Sequence, residues 1–235
     1  MSSEQMNKAR RILLKISGEA LSGEGGFGID PQVLSNTAKA IRNVQNQGVQ
    51  TVLVIGGGNI FRGAALQKAG FDRVAGDQMG MLATIMNGLA MREELKAQGG
   101  HCVLMSAYGI PSMTTQYSAT LGRELLDQGH SLIVAGGTGA PFFTTDTAAV
   151  LRAIELQCSE VLKATKVDGI YDKDPNKFSD AVKFDRITHN ELLERHLAVM
   201  DTAAAAICQE NNIPILVFNL NDPENINRAV CGENA

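Results

Sequence analysis

The sequence predicts an α/β fold with a parallel central sheet covered on both faces, and three observations carry that expectation. Short apolar runs rich in β-branched residues alternate with longer amphipathic segments along the whole chain. Three of the runs stop abruptly at glycine: Ile12–Ser17 at Gly18, Thr51–Ile55 at Gly56, and Ser131–Ala135 at Gly136. The 24 glycines therefore gather at strand ends rather than in repeats, where open α/β sheets hold their ligands.

Taken in order, Arg11–Ser17 reads as the first strand and Gly18–Gly28 as a loop or hairpin. Asp30-Pro31 combines an N-cap with proline at the first helical position, and the helix it starts should stop at Gly48. Thr51–Ile55 is the second strand. A long helix is expected over about residues 77–98, followed by strands at Cys102–Ser106 and Ser131–Ala135 with a helix near 117–128 between them. A helix from Thr144 or Thr145 to Gln157 precedes a strand at Glu160–Thr165. Residues 166–175 are rich in turn formers and read as a hairpin or loop. Helices at 188–195 and 201–210, a last strand at 214–218 and a short final helix complete the chain. No linker or repeat interrupts the alternation, so one domain is expected over residues 1–235, with 1–10 as a disordered polar tail.

Net charge is −4 with interspersed signs, which argues against a dedicated nucleic-acid or membrane-surface binder. Cys102, Cys158, Cys208 and Cys231 form no CxxC pair, so neither a disulfide framework nor a zinc site is expected, and a reducing cytoplasm is the natural setting. The polar N-terminal segment does not read as a signal peptide, and no apolar run is long enough to span a bilayer. His101, His130, His189 and His196 lack metal-ligand spacing.

The Walker pattern GxxxxGK[ST] is absent. Gly23-Glu-Gly-Gly-Phe-Gly28 matches GxGxxG, but it starts well after the strand and lacks an acidic residue about twenty positions on, so a flexible loop explains it better. Lys15 interrupts an apolar strand; it either meets an anion at the strand's carboxyl end or faces solvent from an edge. Gly56-Gly-Gly-Asn59 with Arg62 offers loop amides and a guanidinium fork suited to phosphate. Asp77 is open to two readings, ligand contact or helix cap. Met79, Leu82, Ala83, Met86 and Leu89 fall at helical spacing and read as core or as a subunit interface. Thr138-Gly-Ala-Pro-Phe-Phe-Thr-Thr-Asp146 gathers hydroxyls, two rings and a carboxylate at a strand-to-helix turn; helix capping and ligand binding can coexist there. Lys163–Pro175 is either a solvated hairpin or a flank for a flat ring through Tyr171, and the residues leave open whether Lys163 or Lys166 joins the chemistry.

These segments, in this order, resemble the bacterial uridylate kinases of the amino acid kinase superfamily. The carriers are Lys15–Leu21, Val54–Gly63, Gly76–Thr84, Gly137–Asp146 and Lys163–Gly169, and the match runs from about Arg11 to Val230. The resemblance implies a three-layer α/β/α sandwich, a cytoplasmic homohexamer, and transfer of the γ-phosphate of ATP to UMP with Mg2+ in pyrimidine nucleotide synthesis. It assigns Lys15, Ile16, Ser17, Gly18, Gly58, Arg62, Thr165, Tyr171 and Asp174 to ATP. It assigns Gly57, Asp77, Thr138, Gly139, Ala140, Pro141, Phe142, Phe143, Thr144 and Thr145 to UMP. Lys15, Arg62 and Asp146 would be catalytic, with Asp146 orienting Lys15, and no protein metal ligands are expected. Gly23, Glu24, Gly25, Gly26, Phe27 and Gly28 fall in the region that relatives associate with GTP activation, UTP being the inhibitor. One departure is Ala140, where relatives carry asparagine. Two rival functions share the fold: a kinase for a small acid such as carbamate, and a silent nucleotide-sensing or anion-storage protein.

Overall fold

The computed structural model describes residues 9–61, 70–197 and 199–233. In chain order the elements are β1 (Arg11–Ile16), α1 (Pro31–Asn46), β2 (Gln50–Ile55), α2 (Arg73–Ala97), β3 (Cys102–Ser106), β4 (Thr115–Gln116), α3 (Ala119–Asp127) and β5 (Ser131–Ala135). They continue with α4 (Thr145–Glu155), β6 (Glu160–Thr165), β7 (Ile170–Tyr171), β8 (Lys183–Phe184), α5 (His189–Glu194), α6 (Thr202–Asn211), β9 (Ile215–Asn219) and α7 (Asn225–Cys231). Seven strands form one sheet in the order β4-β3-β5-β2-β1-β6-β9, while β7 and β8 make a separate hairpin. Every pairing within the large sheet is parallel, and only the hairpin is antiparallel.

Side-chain alternation along β1 sorts the core into two layers. Ile12, Leu14 and Ile16 pack with Ile41 and Val44 of α1, Met91 and Leu95 of α2, and Ile226 and Val230 of α7. Leu13 points the other way, with Leu126 of α3 and Ala149 and Ala153 of α4. α6 lies outside α4, joined through Val150, Ala204 and Cys208. This is an α/β/α sandwich, in which each fully buried aliphatic side chain contributes about 1.5–3 kcal/mol. By the same alternation, Lys15 projects on the α4 side, two residues beyond Leu13.

Local chemistry sets the boundaries. Asp30 accepts from the amides of Gln32 and Val33 with Pro31 in the first turn, and α1 ends where Gly48 takes φ 81°. α2 differs from the expected start at residue 77: Asp72 caps it through the Ala75 amide, so the helix begins at Arg73. Gly76 reads as a breaker in sequence but is buried within the helix, and packing overrides its weak propensity. β4 has no apolar pattern, being two exposed residues at the sheet edge. The loop after β1 contains two short 3-10 turns, Gly18–Leu21 and Gly23–Gly25. Of the expected tail over 1–10, residues 1–8 lie outside the described residues, whereas Arg10 pairs with Glu160 at 2.7 Å.

Candidate functional site

β1 lies between β2 and β6, where the strand order turns back. Lys15 and Lys163 are register partners across β1 and β6, so both ammonium groups leave the sheet on one face at the carboxyl end. α4 starts over that face with Thr144 as N-cap, its hydroxyl accepting from the Asp146 amide at 3.1 Å. Asp146, in the first turn, is shared by both lysines. Lys163 Nζ donates to its Oδ2 at 2.7 Å, and Lys15 Nζ stands 2.8 Å from its Oδ1. The Lys15 contact is ionic and lies off hydrogen-bond alignment, and Asp146 is the one partner of Lys15 among the described residues. Side-chain exposures of 12% for Lys15, 10% for Lys163 and 15% for Asp146 put the trio in a strongly desolvated setting. Lys163 also donates to the Val199 carbonyl. Burial pushes its pKa below the usual lysine value, with Lys15 adding to the effect, while the Asp146 charge works the other way.

Asp201 braces this arrangement from behind. It caps α6 through the Ala204 amide at 2.8 Å and accepts from the hydroxyls of Thr144 and Thr147. Burial would raise its pKa, but those hydrogen bonds outweigh it and leave the carboxyl below the usual range. The Thr144 hydroxyl is thus committed at both ends, as donor to Asp201 and acceptor from Asp146.

Beside the trio lies a cleft of about 280 Å³ lined by Gly57, Gly58, Asp77, Gly137, Phe143, Thr144 and Thr145, together with Phe61, Arg73 and several α2 residues. Gly57 is required for packing: a Cβ there would come within 2.8 Å of Ala83 and of the Gly80 carbonyl. Gly58 carries no such demand: a Cβ there would meet nothing closer than the Glu19 side chain at 3.4 Å. The first residues of α4 and the glycine-loop amides line the cleft with Arg73 and Asp77, and Lys15 and Lys163 stand around Asp146 at the same end of α4. That set suits a polyanion such as a phosphate chain.

The remaining sequence-derived residues divide among several places. Ile16, Ser17 and Gly18 follow Lys15; the Ile16 carbonyl accepts from the Gly56 amide at 2.9 Å, and a Cβ on Gly18 would meet the Gly56 carbonyl at 2.4 Å. Asp77 is not a helix cap; its Oδ2 accepts from the Phe142 amide at 2.7 Å and pairs with Arg73 at 3.5 Å. Phe142, at φ 72°, carries the Arg73 guanidinium 5.0 Å above its ring. Thr138 closes a small turn on Ala140, the Gly139 carbonyl accepts from Tyr108, and Pro141 leads into the exposed Phe142 and Phe143. Thr165, Tyr171 and Asp174 sit at the β6 end and on the hairpin, with local partners: Val167 for Thr165, Asp168 for Tyr171, and Asn176 and Lys177 for Asp174. Gly23–Gly28 does not line the cleft; its last residue, Gly28, is hydrogen-bonded to Asn59 at the end of the glycine loop, and Phe27 is exposed. Arg62 falls outside the described residues. Of the α2 apolar series, Ala83 is buried, whereas Met79, Leu82 and Met86 are exposed.

Sequence reasoning left the role of Lys163 open and did not single out Asp201. Lys163 had a readable signal, because it interrupts an apolar strand just as Lys15 does. Asp201 had none, since a capping aspartate carries no mark of its long-range partners. Among the described residues no cluster of His, Cys, Asp or Glu could hold a metal ion, and no helix is long and apolar enough to cross a membrane. The Cys102, Cys158 and Cys208 thiols are pushed up to about 12 by burial, so they offer no thiolate nucleophile.

Residues 10–219 match the family model described as the amino acid kinase family. The chain belongs to the amino acid kinase family. It is 52% identical over 233 residues to a uridylate kinase of Shewanella denitrificans, covering 99% of this chain and 96% of the relative. A uridylate kinase of Pseudoalteromonas atlantica is 51% identical over the same span, covering 94% of its own length. Among solved structures, UMP kinase from Ureaplasma parvum superposes with a TM-score of 0.92 at 36% identity, covering 97% of each chain. UMP kinase from Bacillus anthracis gives the same TM-score at 34% identity, covering 96% of this chain and 93% of its own. The α/β/α architecture drawn from the sequence is therefore that of the family, and the chain is a phosphotransferase.

Proposed function

We propose that this enzyme is a UMP kinase, transferring the γ-phosphoryl group of ATP to the phosphate of UMP to give ADP and UDP. The observation that carries the reading is the largely desolvated Lys15–Asp146–Lys163 trio at the N-terminus of α4, beside a glycine-lined cleft. The uridylate kinase relatives support the choice of acceptor.

In the reaction a UMP phosphate oxygen forms a bond to the γ-phosphorus, the bond from that phosphorus to the β–γ bridging oxygen breaks, and ADP departs. The nucleophile is already ionised, so no general base is needed and catalysis is positioning plus charge stabilisation. Lys15 meets charge growing on the transferred oxygens, aided by the amides of Gly57, Gly58 and the first turn of α4. Lys163 holds the other oxygen of Asp146, and Asp146 aims both lysines without exchanging a proton. Arg62 is assigned here from the sequence, as a second cation on the phosphates. Asp146 is already engaged by both lysines, so a Mg2+ ion would be held by the ATP phosphates rather than by this carboxylate, and it would supply charge compensation there. UMP occupies the cleft, its ribose hydroxyls reaching Asp77 and its base lying along Thr138–Thr145, with backbone contacts standing in at Ala140. ATP lies along Lys15–Gly18, Gly58, Thr165, Tyr171 and Asp174.

The finer assignments rest on sequence resemblance. They are GTP activation through Gly23–Gly28, UTP inhibition, a homohexamer, and a cytoplasmic role in pyrimidine nucleotide synthesis. The exposed Met79, Leu82 and Met86 stripe supports an interface between copies. A coupled ADP-release assay with UMP, CMP and dTMP tests the reading. ADP release with UMP well above the other two is expected. Equal rates with UMP and CMP would undo the uracil assignment, and no release with any acceptor would sink the kinase reading.

A further inference from the structure

Beneath the glycine loop lies a pair of buried amides that the chemistry above does not use. Asn59 ends the loop and Asn87 comes from the middle of α2, and their exposures are 1% and 0%. Asn87 Nδ2 donates to the Gly56 carbonyl and to Asn59 Oδ1, both at 2.7 Å. Asn59 Nδ2 donates back to Asn87 Oδ1 at 3.1 Å and to the Gly28 carbonyl at 2.7 Å. The Gly28 amide closes a further bond to the Asn59 carbonyl at 2.8 Å. Both amide groups are thereby satisfied on both sides, as buried polar groups must be.

The placement of these bonds points beyond stability. Gly56 donates its own amide to the Ile16 carbonyl at 2.9 Å. The Gly56 carbonyl and Asn59 Oδ1 press on Gly18 so closely that a Cβ there would meet them at 2.4 and 2.6 Å. The loop after Lys15 and the glycine loop thus rest on each other, and the two asparagines fix the side of that contact away from the cleft. We infer that Asn59 and Asn87 act as one positioning clamp, setting the separation of the two phosphate-facing loops for phosphoryl transfer. The inference builds on the kinase reading above. Neither side chain touches substrate; each acts through the backbone of residues 56–59. A displacement of about 1 Å in such a loop can cost on the order of 10²-fold in rate.

The test is steady-state kinetics on the full chain with UMP and ATP, alongside thermal unfolding, for Asn87→Leu, Asn59→Leu and the double variant. Asn87→Ser, too short to reach Gly56, serves where leucine does not fold. The expected result is a roughly 10–100-fold fall in kcat with KM for UMP within about two-fold, measured well below each variant's Tm. The double variant should lose no more than the worse single, because the pair works as a unit. Unchanged kcat accompanied by a lower Tm would reduce the pair to a structural role and overturn the inference, as would losses that multiply in the double variant. Wild-type activity is read first: an inactive wild type sinks the kinase reading together with the clamp, whereas an active wild type with fully active variants sinks the clamp alone.

Discussion

Two cations stand toward opposite ends of β1, Arg11 buried and Lys15 largely so, and the chain treats them differently. Arg11, 4% exposed, spends its donors on Gln50 at 2.8 Å, the Leu156 carbonyl at 2.6 Å and Asp127 at 2.7 Å. Lys15, four residues on, has Asp146 as its one recorded partner among the described residues, in a contact off hydrogen-bond alignment. Burial alone therefore does not mark a functional charge. On the proposed mechanism, what marks Lys15 is its place at the open end of the sheet with one partner among the described residues, because a desolvated cation with few partners retains attraction for an incoming anion.

The comparison breaks most sharply under substitution. Lys15→Ala should reduce kcat by about 10²–10³-fold, or roughly 3–4 kcal/mol of barrier, with UMP binding preserved. Near-normal turnover of the purified variant would equate the two ends of the strand. Arg11→Met should do the reverse. Leaving the Leu156 carbonyl without its partner costs about 1–3 kcal/mol of stability by urea unfolding, while kcat per folded molecule stays within about two-fold.

Lys163 sharpens the contrast through pH. In the proposed mechanism it works as the ammonium, and its folded pKa lies below the usual 10.5, so kcat should fall on the alkaline side before an ordinary lysine would titrate. Unfolding cannot mimic this. A lowered folded pKa means the unfolded chain binds that proton more readily, so this group's contribution to stability rises with pH through the same window. Lys163→Arg should move the alkaline limb upward, and an unmoved limb would assign it elsewhere. The smallest effect belongs to Asp201. Its depressed carboxyl contributes stability that is complete above the ordinary 3.8 and lost as pH falls through the lower folded value. The stability gap between wild type and Asp201→Asn should be level above that point and close below it; a gap unchanged at about pH 2 would contradict the hydrogen bonds to Thr144 and Thr147 as its source.

Much of the frame was legible in the residues. β3, β5 and β6 have the boundaries expected, because continuous apolar runs ending at glycine or a polar turn leave few alternatives. The two-residue β4 escaped, as exposed Thr115 and Gln116 carry no pattern. In the site, the pairing of Lys15 with Asp146 came from the family resemblance, and the place of Lys163 depended on strand register, which one sequence does not encode locally. The Asp77 ambiguity was resolved by Asp72, five residues before the expected start and a better cap. The stripe of Met79, Leu82 and Met86 has helical spacing whether it faces a core or a neighbour, and periodicity alone cannot separate those cases.

The pairing of residues 15 and 163 across adjacent strands has one more consequence. Should β1 seat one position out of step against β6 during folding, one ammonium would swing to the opposite layer and Asp146 would lose a ligand. A molecule trapped in that state could be compact and well ordered yet inert, so turnover per molecule after refolding reports how faithfully the sheet was assembled.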